Sequence, residues 1–275
     1  NFEGLVVDLR GNGGGYLAAA INMINEFLPE NNLIVYTQGR MFRREDYMSD
    51  GRGSYQSLPL IVLTDETTAS AAEIFSGAIQ DNDRGVIVGR RSFGKGLVQE
   101  PVNFTDGSGL RITVARFHPP SGRCIQKPYD GDYDYDIYDR YMHGEMTSAD
   151  SMKVDTTAVF YTMKGRPVYG GGGIIPDIFV PIDTTRATDF YIQCNRKATT
   201  MRFASVMLDK YGSELREIDD FAELQKYLKR MDLAARFLEF AAEVDGIKPA
   251  KGEWEESAPY MMHQINALVG RYSKL

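Results

Sequence analysis

Hydrophobic positions in this chain come in short runs separated by glycine, proline and acidic turns. Residues 4–9, 59–64 and 86–89 are apolar runs of strand length. From Tyr16 onward Leu17, Ile21, Ile24 and Leu28 recur at helical spacing, and Pro29 closes the pattern. After the second run Ile74, Ala78 and Ile79 share one helical face. Alternation of this kind predicts an α/β fold of crossover units over a largely buried sheet. Asp106-Gly-Ser-Gly reads as a turn, followed by Leu110, Ile112 and Val114 alternating with polar or small residues as a half-exposed strand. Pro119-Pro120-Ser-Gly ends it.

Residues 127–165 lose this periodicity and read as an acidic, aromatic insertion on the surface. Gly170 to Gly173 form a hinge, and Ile174 to Pro181 a returning strand. From Asp183 onward the stripes are helical: Phe221, Leu224, Leu228 and Met231, then Ala234, Phe237, Leu238 and Ala241. Asp220 with Glu223 reads as a capping pair. The expected organisation is an α/β core over 1–185 and a helical subdomain over 186–275.

Composition narrows the classes of function. The 275 residues carry a net charge of −7 and no marked basic run, which argues against a nucleic-acid partner. No apolar stretch reaches the roughly eighteen residues needed to span a bilayer. The chain opens at Asn1 on a strand, without methionine or signal peptide, so a piece of a longer precursor is expected.

Chemistry concentrates in three places. Ser70 lies where the run ending at Leu63 gives way to a helical pattern, which puts its hydroxyl near a helix N-terminus. Lys95 sits between two glycines, where the chain can turn sharply and present one basic side chain. The Gly13-Gly-Gly cluster precedes a helix and offers unshielded backbone N–H groups of the sort that hold an oxyanion. Serine needs a base, and a lysine amine serves as one only where burial disfavours its ammonium. Phe93 and Leu97 are the residues expected to supply an apolar wall.

Asp8-Leu-Arg-Gly-Asn-Gly-Gly-Gly, Thr68-Ala-Ser-Ala-Ala-Glu, Phe93-Gly-Lys-Gly-Leu-Val-Gln and Gly173-Ile-Ile-Pro-Asp occur in that order. Together they resemble the carboxyl-terminal processing peptidases, or tail-specific proteases, over roughly residues 1–126 and 166–182. The resemblance implies a crotonase/ClpP-like core and a Ser–Lys dyad peptidase with Ser70 as nucleophile, Lys95 as base and Gln99 holding the lysine amine. Gly15, with Gly14 in reserve, and the Ala71 amide are the expected oxyanion donors. No cofactor is implied. The expected partners are proteins or peptides with apolar C-termini, handled in the periplasm or cell envelope. Relatives carry a PDZ domain and further core strands before the segment equivalent to residue 4. Their absence here leads us to expect self-association of this chain.

The residues also admit other readings. Ser70 could be a plain helix cap and Lys95 a solvated loop lysine. Histidine triads are disfavoured because His118, His143 and His263 lie outside the four motifs. Glu73 is expected to cap the helix, and Asp8 with Arg10 to fix the strand end. Cys124 and Cys194 are expected to be free thiols. Asp130, Asp132 and Asp134 have the spacing of a calcium loop but lack its later glycine and glutamate. A crotonase-like acyl-CoA enzyme and a non-catalytic peptide-binding module are the rival functions.

Overall fold

The three apolar runs pair as parallel neighbours. β1 (Leu5–Asp8), α1 (Leu17–Asn25), β2 (Leu33–Gln38), β3 (Glu45–Met48), β4 (Leu60–Thr64), α2 (Ala71–Asp81) and β5 (Val86–Gly89) open the chain. β6 (Leu97–Asn103), β7 (Gly109–His118), α3 (Asp136–Met142), β8 (Val159–Tyr161), β9 (Pro167–Tyr169) and β10 (Ile178–Phe179) follow. One parallel sheet runs β1-β4-β5-β10 and one antiparallel sheet runs β3-β2-β7-β6, with β8 and β9 forming a hairpin. The computed structural model describes residues 2–129, 135–185 and 187–274, and the chain divides into two compact units, Asn1–Ile182 and Asp183–Leu275. The α/β class is as expected from the sequence.

α2 is buried along its whole length, and Ile74, Phe75, Ala78 and Ile79 pack with Ile24 and Leu28 on Leu60, Val62 and Ile87 of the sheet. Its buried polar residues are satisfied. Gln80 donates to the Ile175 carbonyl at 2.9 Å, and Asp81 pairs with the fully buried Arg123 at 2.7 Å. Only one face of the parallel sheet is covered this way. Val6, Ile61 and Val86 sit side by side across three strands and are 57%, 40% and 38% exposed. That departs from the expected largely buried sheet, because α1 and α2 both pack on the same face.

Most described residues of 127–165 are exposed or half-buried, but a few anchor the segment in the interior. Lys127, Arg140, Glu145 and Met146 are all buried. Their charges are hidden in pairs, Arg140 with Glu145 at 2.9 Å and Lys127 with Asp136 at 3.3 Å, so no apolar stripe announces the burial. Asp130, Asp132 and Asp134 lie outside the described residues.

The second unit holds α4 (Asp189–Arg196), α5 (Thr199–Leu215), α6 (Phe221–Arg230), α7 (Leu233–Val244) and α8 (Glu253–Gly270) around its own core of Phe190, Phe203, Phe237 and Met261. Asp220 accepts the Glu223 N–H at 2.8 Å at the start of α6, as the capping pattern predicts. Cys194 is buried there, and burial, reinforced by Asp245, pushes its thiol up to about 11. No helix among the described residues is long and apolar enough to cross a membrane.

Candidate active site

The carboxyl ends of β1, β4 and β5 lead into three loops, residues 9–16, 65–70 and 90–96, the place where α/β sheets bind ligands. Thr68 knits all three. Its hydroxyl donates to the Leu9 carbonyl at 2.8 Å, and its carbonyl accepts the Phe93 N–H at 2.9 Å. Asp65 accepts the Gly11 N–H at 3.1 Å and also serves Thr67 and Thr68. Burial opposes ionisation of Asp65, but the bonds from Thr67, Gly11 and Thr68 prevail and hold its pKa below the ordinary 3.8.

Ser70 is the N-cap of α2, with φ 58° and ψ −118°. A serine in this left-handed region costs about 1–3 kcal/mol, and such strain persists only where the surroundings impose it. Here Gly14 presses against the turn. A Cβ on Gly14 would lie 2.6 Å from the Ala69 carbonyl oxygen, 2.7 Å from the Ala71 nitrogen and 2.9 Å from Ser70 Cβ, and Gly14 has φ +95°. Only glycine fits there.

The strain is held by Glu73, one turn into α2 and fully buried. Its Oε2 accepts the backbone N–H of Ser70 at 2.8 Å and that of Lys95 at 2.8 Å. Its Oε1 accepts the Gly94 N–H at 2.7 Å and the Ser92 hydroxyl at 2.5 Å. The same Ser92 hydroxyl accepts the Ile174 N–H at 2.6 Å, which brings the Gly173-Ile-Ile-Pro-Asp motif into the network. Complete burial pushes the Glu73 pKa above the ordinary carboxylate range, with the bonds from Ser92, Lys95, Gly94 and Ser70 pulling the other way. Sequence reasoning read Glu73 as a cap and did not single out Ser92. The one signal available was the place of Glu73 inside one motif and of Ser92 directly before another.

The expected site residues fall out unequally. Ser70 and Lys95 are brought together through their main chains, and both side chains are partly exposed. Among the described residues no hydrogen bond joins Ser70 Oγ to Lys95 Nζ. Catalytic contacts of this kind often close only around substrate. The Gly14 N–H is spent on Asn12 Oδ1 at 2.9 Å. Those of Gly15 and Ala71 have no intramolecular acceptor among the described residues. Among the described residues no hydrogen bond joins Gln99 to Lys95. The glutamine stands exposed on β6, with its amide 3.5 Å from Thr113 Oγ1. A bulge between Val98 and Gln99 shifts its partner on β7 from the regular register.

Beside Gly15 and Ala71 lies a cavity of about 140 Å³ lined by Leu9, Ala19, Ala20, Met23, Ala72 and Phe75. His118 is committed to the Gly122 and Arg123 carbonyls and stacks on Tyr36, and His143 is held by Asp139. Neither meets Ser70. Asp8 and Arg10 pair with each other at 2.8 Å at the end of β1.

Comparison with known proteins accords with these motifs. Residues 1–137 match the model of peptidase family S41, and residues 190–273 match a family of unknown function, DUF8443. Over 124 residues the chain is 42% identical to the chloroplastic C-terminal processing peptidase of Tetradesmus obliquus, covering 45% of this chain and 26% of that protein. It is 42% identical over 125 residues to the carboxyl-terminal-processing protease of Synechocystis sp., covering 46% and 29%. With CtpB, the carboxy-terminal processing protease of Bacillus subtilis, identity is 36% over 125 residues, covering 46% and 26%. The solved photosystem II D1 C-terminal processing protease matches with TM-score 0.46 at 30% identity, over 66% of this chain and 36% of that one. The chain thus spans less than a third of the length of these curated relatives. Through its first 137 residues, this chain belongs to peptidase family S41.

Proposed function

We propose that the first unit is the catalytic part of a serine endopeptidase in which Ser70 is the nucleophile and Lys95 the base. The observation that carries this reading is the shared acceptor. Glu73 Oε2 receives the N–H of both residues, so the two nitrogens lie no farther apart than twice a hydrogen-bond length. A 25-residue separation in sequence is thereby closed on a strained serine at a helix start.

In the proposed cycle Ser70 Oγ attacks the peptide carbonyl carbon as its proton passes to a neutral Lys95 Nζ. The oxyanion forms against the free N–H groups of Gly15 and Ala71. Collapse expels the amine product, which takes the proton from Lys95 and leaves an ester on Ser70. Water then attacks that ester as Lys95 accepts its proton, and Lys95 returns that proton to Ser70 Oγ as the carboxylic product departs. The 140 Å³ cavity beside the donors accepts a small or medium apolar side chain next to the cleaved bond. No step calls on a metal or organic cofactor.

By kinship the substrates are proteins chosen through apolar C-terminal tails, and the setting is a bacterial envelope or an organelle lumen. The test is to incubate the protein and its Ser70→Ala variant with an unfolded protein of defined tail and to look for an ester on Ser70 by mass spectrometry. Cleavage by the parent, an adduct confined to Ser70 and an inert variant support the reading. Equal cleavage by both overturns it.

A further inference from the structure

We propose that Arg140, supplied by the 127–165 insertion, is a positioning residue that fixes the turn carrying Lys95. This rests on the reading of Lys95 as the base. The turn is held at almost every backbone group. Arg90 N–H donates to the Thr64 carbonyl, Ser92 N–H to Ile174, Phe93 N–H to Thr68, and Gly94 and Lys95 N–H to Glu73. On its far side the Gly94 carbonyl accepts from Lys127 N–H, and Gly96 N–H donates to the Gln126 side chain.

Two carbonyls in the middle, those of Arg91 and Ser92, depend on Arg140. Its guanidinium donates to the Arg91 oxygen at 2.8 Å and to the Ser92 oxygen at 3.1 Å, and among the described residues they have no other donor. The third edge of the same guanidinium donates through Nε to Glu145 at 2.9 Å. Glu145 in turn grips the Arg91 side chain with both oxygens, at 2.7 and 2.6 Å. Arg140 and Glu145 are 5% and 4% exposed, so the arrangement is shielded from water. A planar fork that meets two successive carbonyls and a carboxylate is a task for arginine and not for lysine.

The consequence lies at the dyad. Ser92 stands between the clamp and Glu73: its carbonyl is held by Arg140 while its hydroxyl is held by Glu73, whose other oxygen holds Ser70 and Lys95. Loss of the fork frees the Ser92 peptide to turn and shifts Lys95 relative to Ser70. A misplacement near 1 Å is enough to cost about 10²-fold in rate.

The experiment compares Arg140→Lys and Arg140→Ala with the parent in the full chain. Three measurements are made: kcat and KM on an unfolded protein, hydrogen exchange at the Gly94 and Lys95 amides, and rescue of Arg140→Ala by guanidinium ion. We expect kcat to fall about 10²-fold in both variants with KM little changed. Exchange at those two amides should quicken while amides of α1 stay as in the parent. Guanidinium should restore at least tenfold to Arg140→Ala and nothing to Lys95→Ala.

Should Arg140→Ala fail to fold, Glu145→Gln is read in its place, with a loss of about tenfold and the same exchange signature. Parental kcat and parental exchange in Arg140→Lys overturn the proposal, as does a loss of rate without faster exchange at Gly94 and Lys95. If Lys95→Ala proves fully active, the reading of the base fails instead. The exchange data then still report on Arg140 alone.

Discussion

Ser70 and Lys95 share an oxygen atom: the backbone N–H of each donates at 2.8 Å to Oε2 of the buried Glu73. The proposed nucleophile and base are therefore set through their backbones by one carboxylate. Three of the motifs bond directly to that carboxylate or to Thr68, and the fourth joins them through Ile174 N–H on the Ser92 hydroxyl.

Glu73→Gln tests that arrangement. An amide keeps one acceptor oxygen and turns an NH₂ group toward two donors, so two of the four bonds become repulsive. We expect a loss of about 1–3 kcal/mol in stability and about 10²-fold in kcat. Thermal unfolding and steady-state kinetics read the two effects. A Glu73→Gln protein with parental kcat contradicts the shared-acceptor account.

The two glycines proposed for the oxyanion site should respond oppositely to alanine. Gly14→Ala forces a Cβ into the Ala69-Ser70-Ala71 backbone at positive φ and should cost about 2–4 kcal/mol and most activity. Gly15 has open space where a Cβ would go, so Gly15→Ala should fold as the parent does and keep its N–H donor. Melting temperatures of the pair decide it. Equal destabilisation of both would mean that the Gly14 contact with the serine turn does not exist in solution.

Asp65 gives a pH dependence with a defined sign. Its folded pKa lies below 3.8, so its ionised form stabilises the fold at neutral pH, and that contribution is lost as pH falls through the folded value. The hydrogen bond to Gly11 goes with it. Asp65→Asn should be less stable than the parent at pH 7, and the gap between the two should narrow as pH falls below the ordinary 3.8. Melting curves at pH 7 and pH 3 measure this, and a gap that widens on acidification would refute it.

The open row of Val6, Ile61 and Val86 predicts self-association of this chain, since a parallel sheet with a bare apolar face attracts a cover. Sedimentation velocity should show concentration-dependent association, reduced by Ile61→Lys. A strictly monomeric chain at tens of micromolar would count against it.

Much of this was legible in the sequence because burial left local marks. β1, β4 and β5 are continuous apolar runs, and α1 and α2 carry stripes at helical spacing. β3 and β6 left no such mark. β3 reads Glu-Asp-Tyr-Met, and β6 is an edge strand that tolerates Glu100 and Pro101 because its outer side faces no partner strand. At the site Ser70, Lys95 and the glycines stand in motifs of their own, whereas the hub role of Glu73 and the clamp by Arg140 depend on backbone bonds spanning 22 and 48 residues. Periodicity cannot report contacts of that kind. For Gln99 the motif gives its place in the chain, while a bulge in the ladder, which periodicity does not report, decides its partner on β7.

The most direct test of the account is the rate at which Lys95→Arg hydrolyses an unfolded protein at neutral pH, measured beside the parent. The variant keeps a long cationic side chain and the backbone bond to Glu73, but guanidinium stays protonated and cannot accept the Ser70 proton. The account predicts a folded protein with no hydrolysis above that of Ser70→Ala. Turnover equal to the parent's would contradict it.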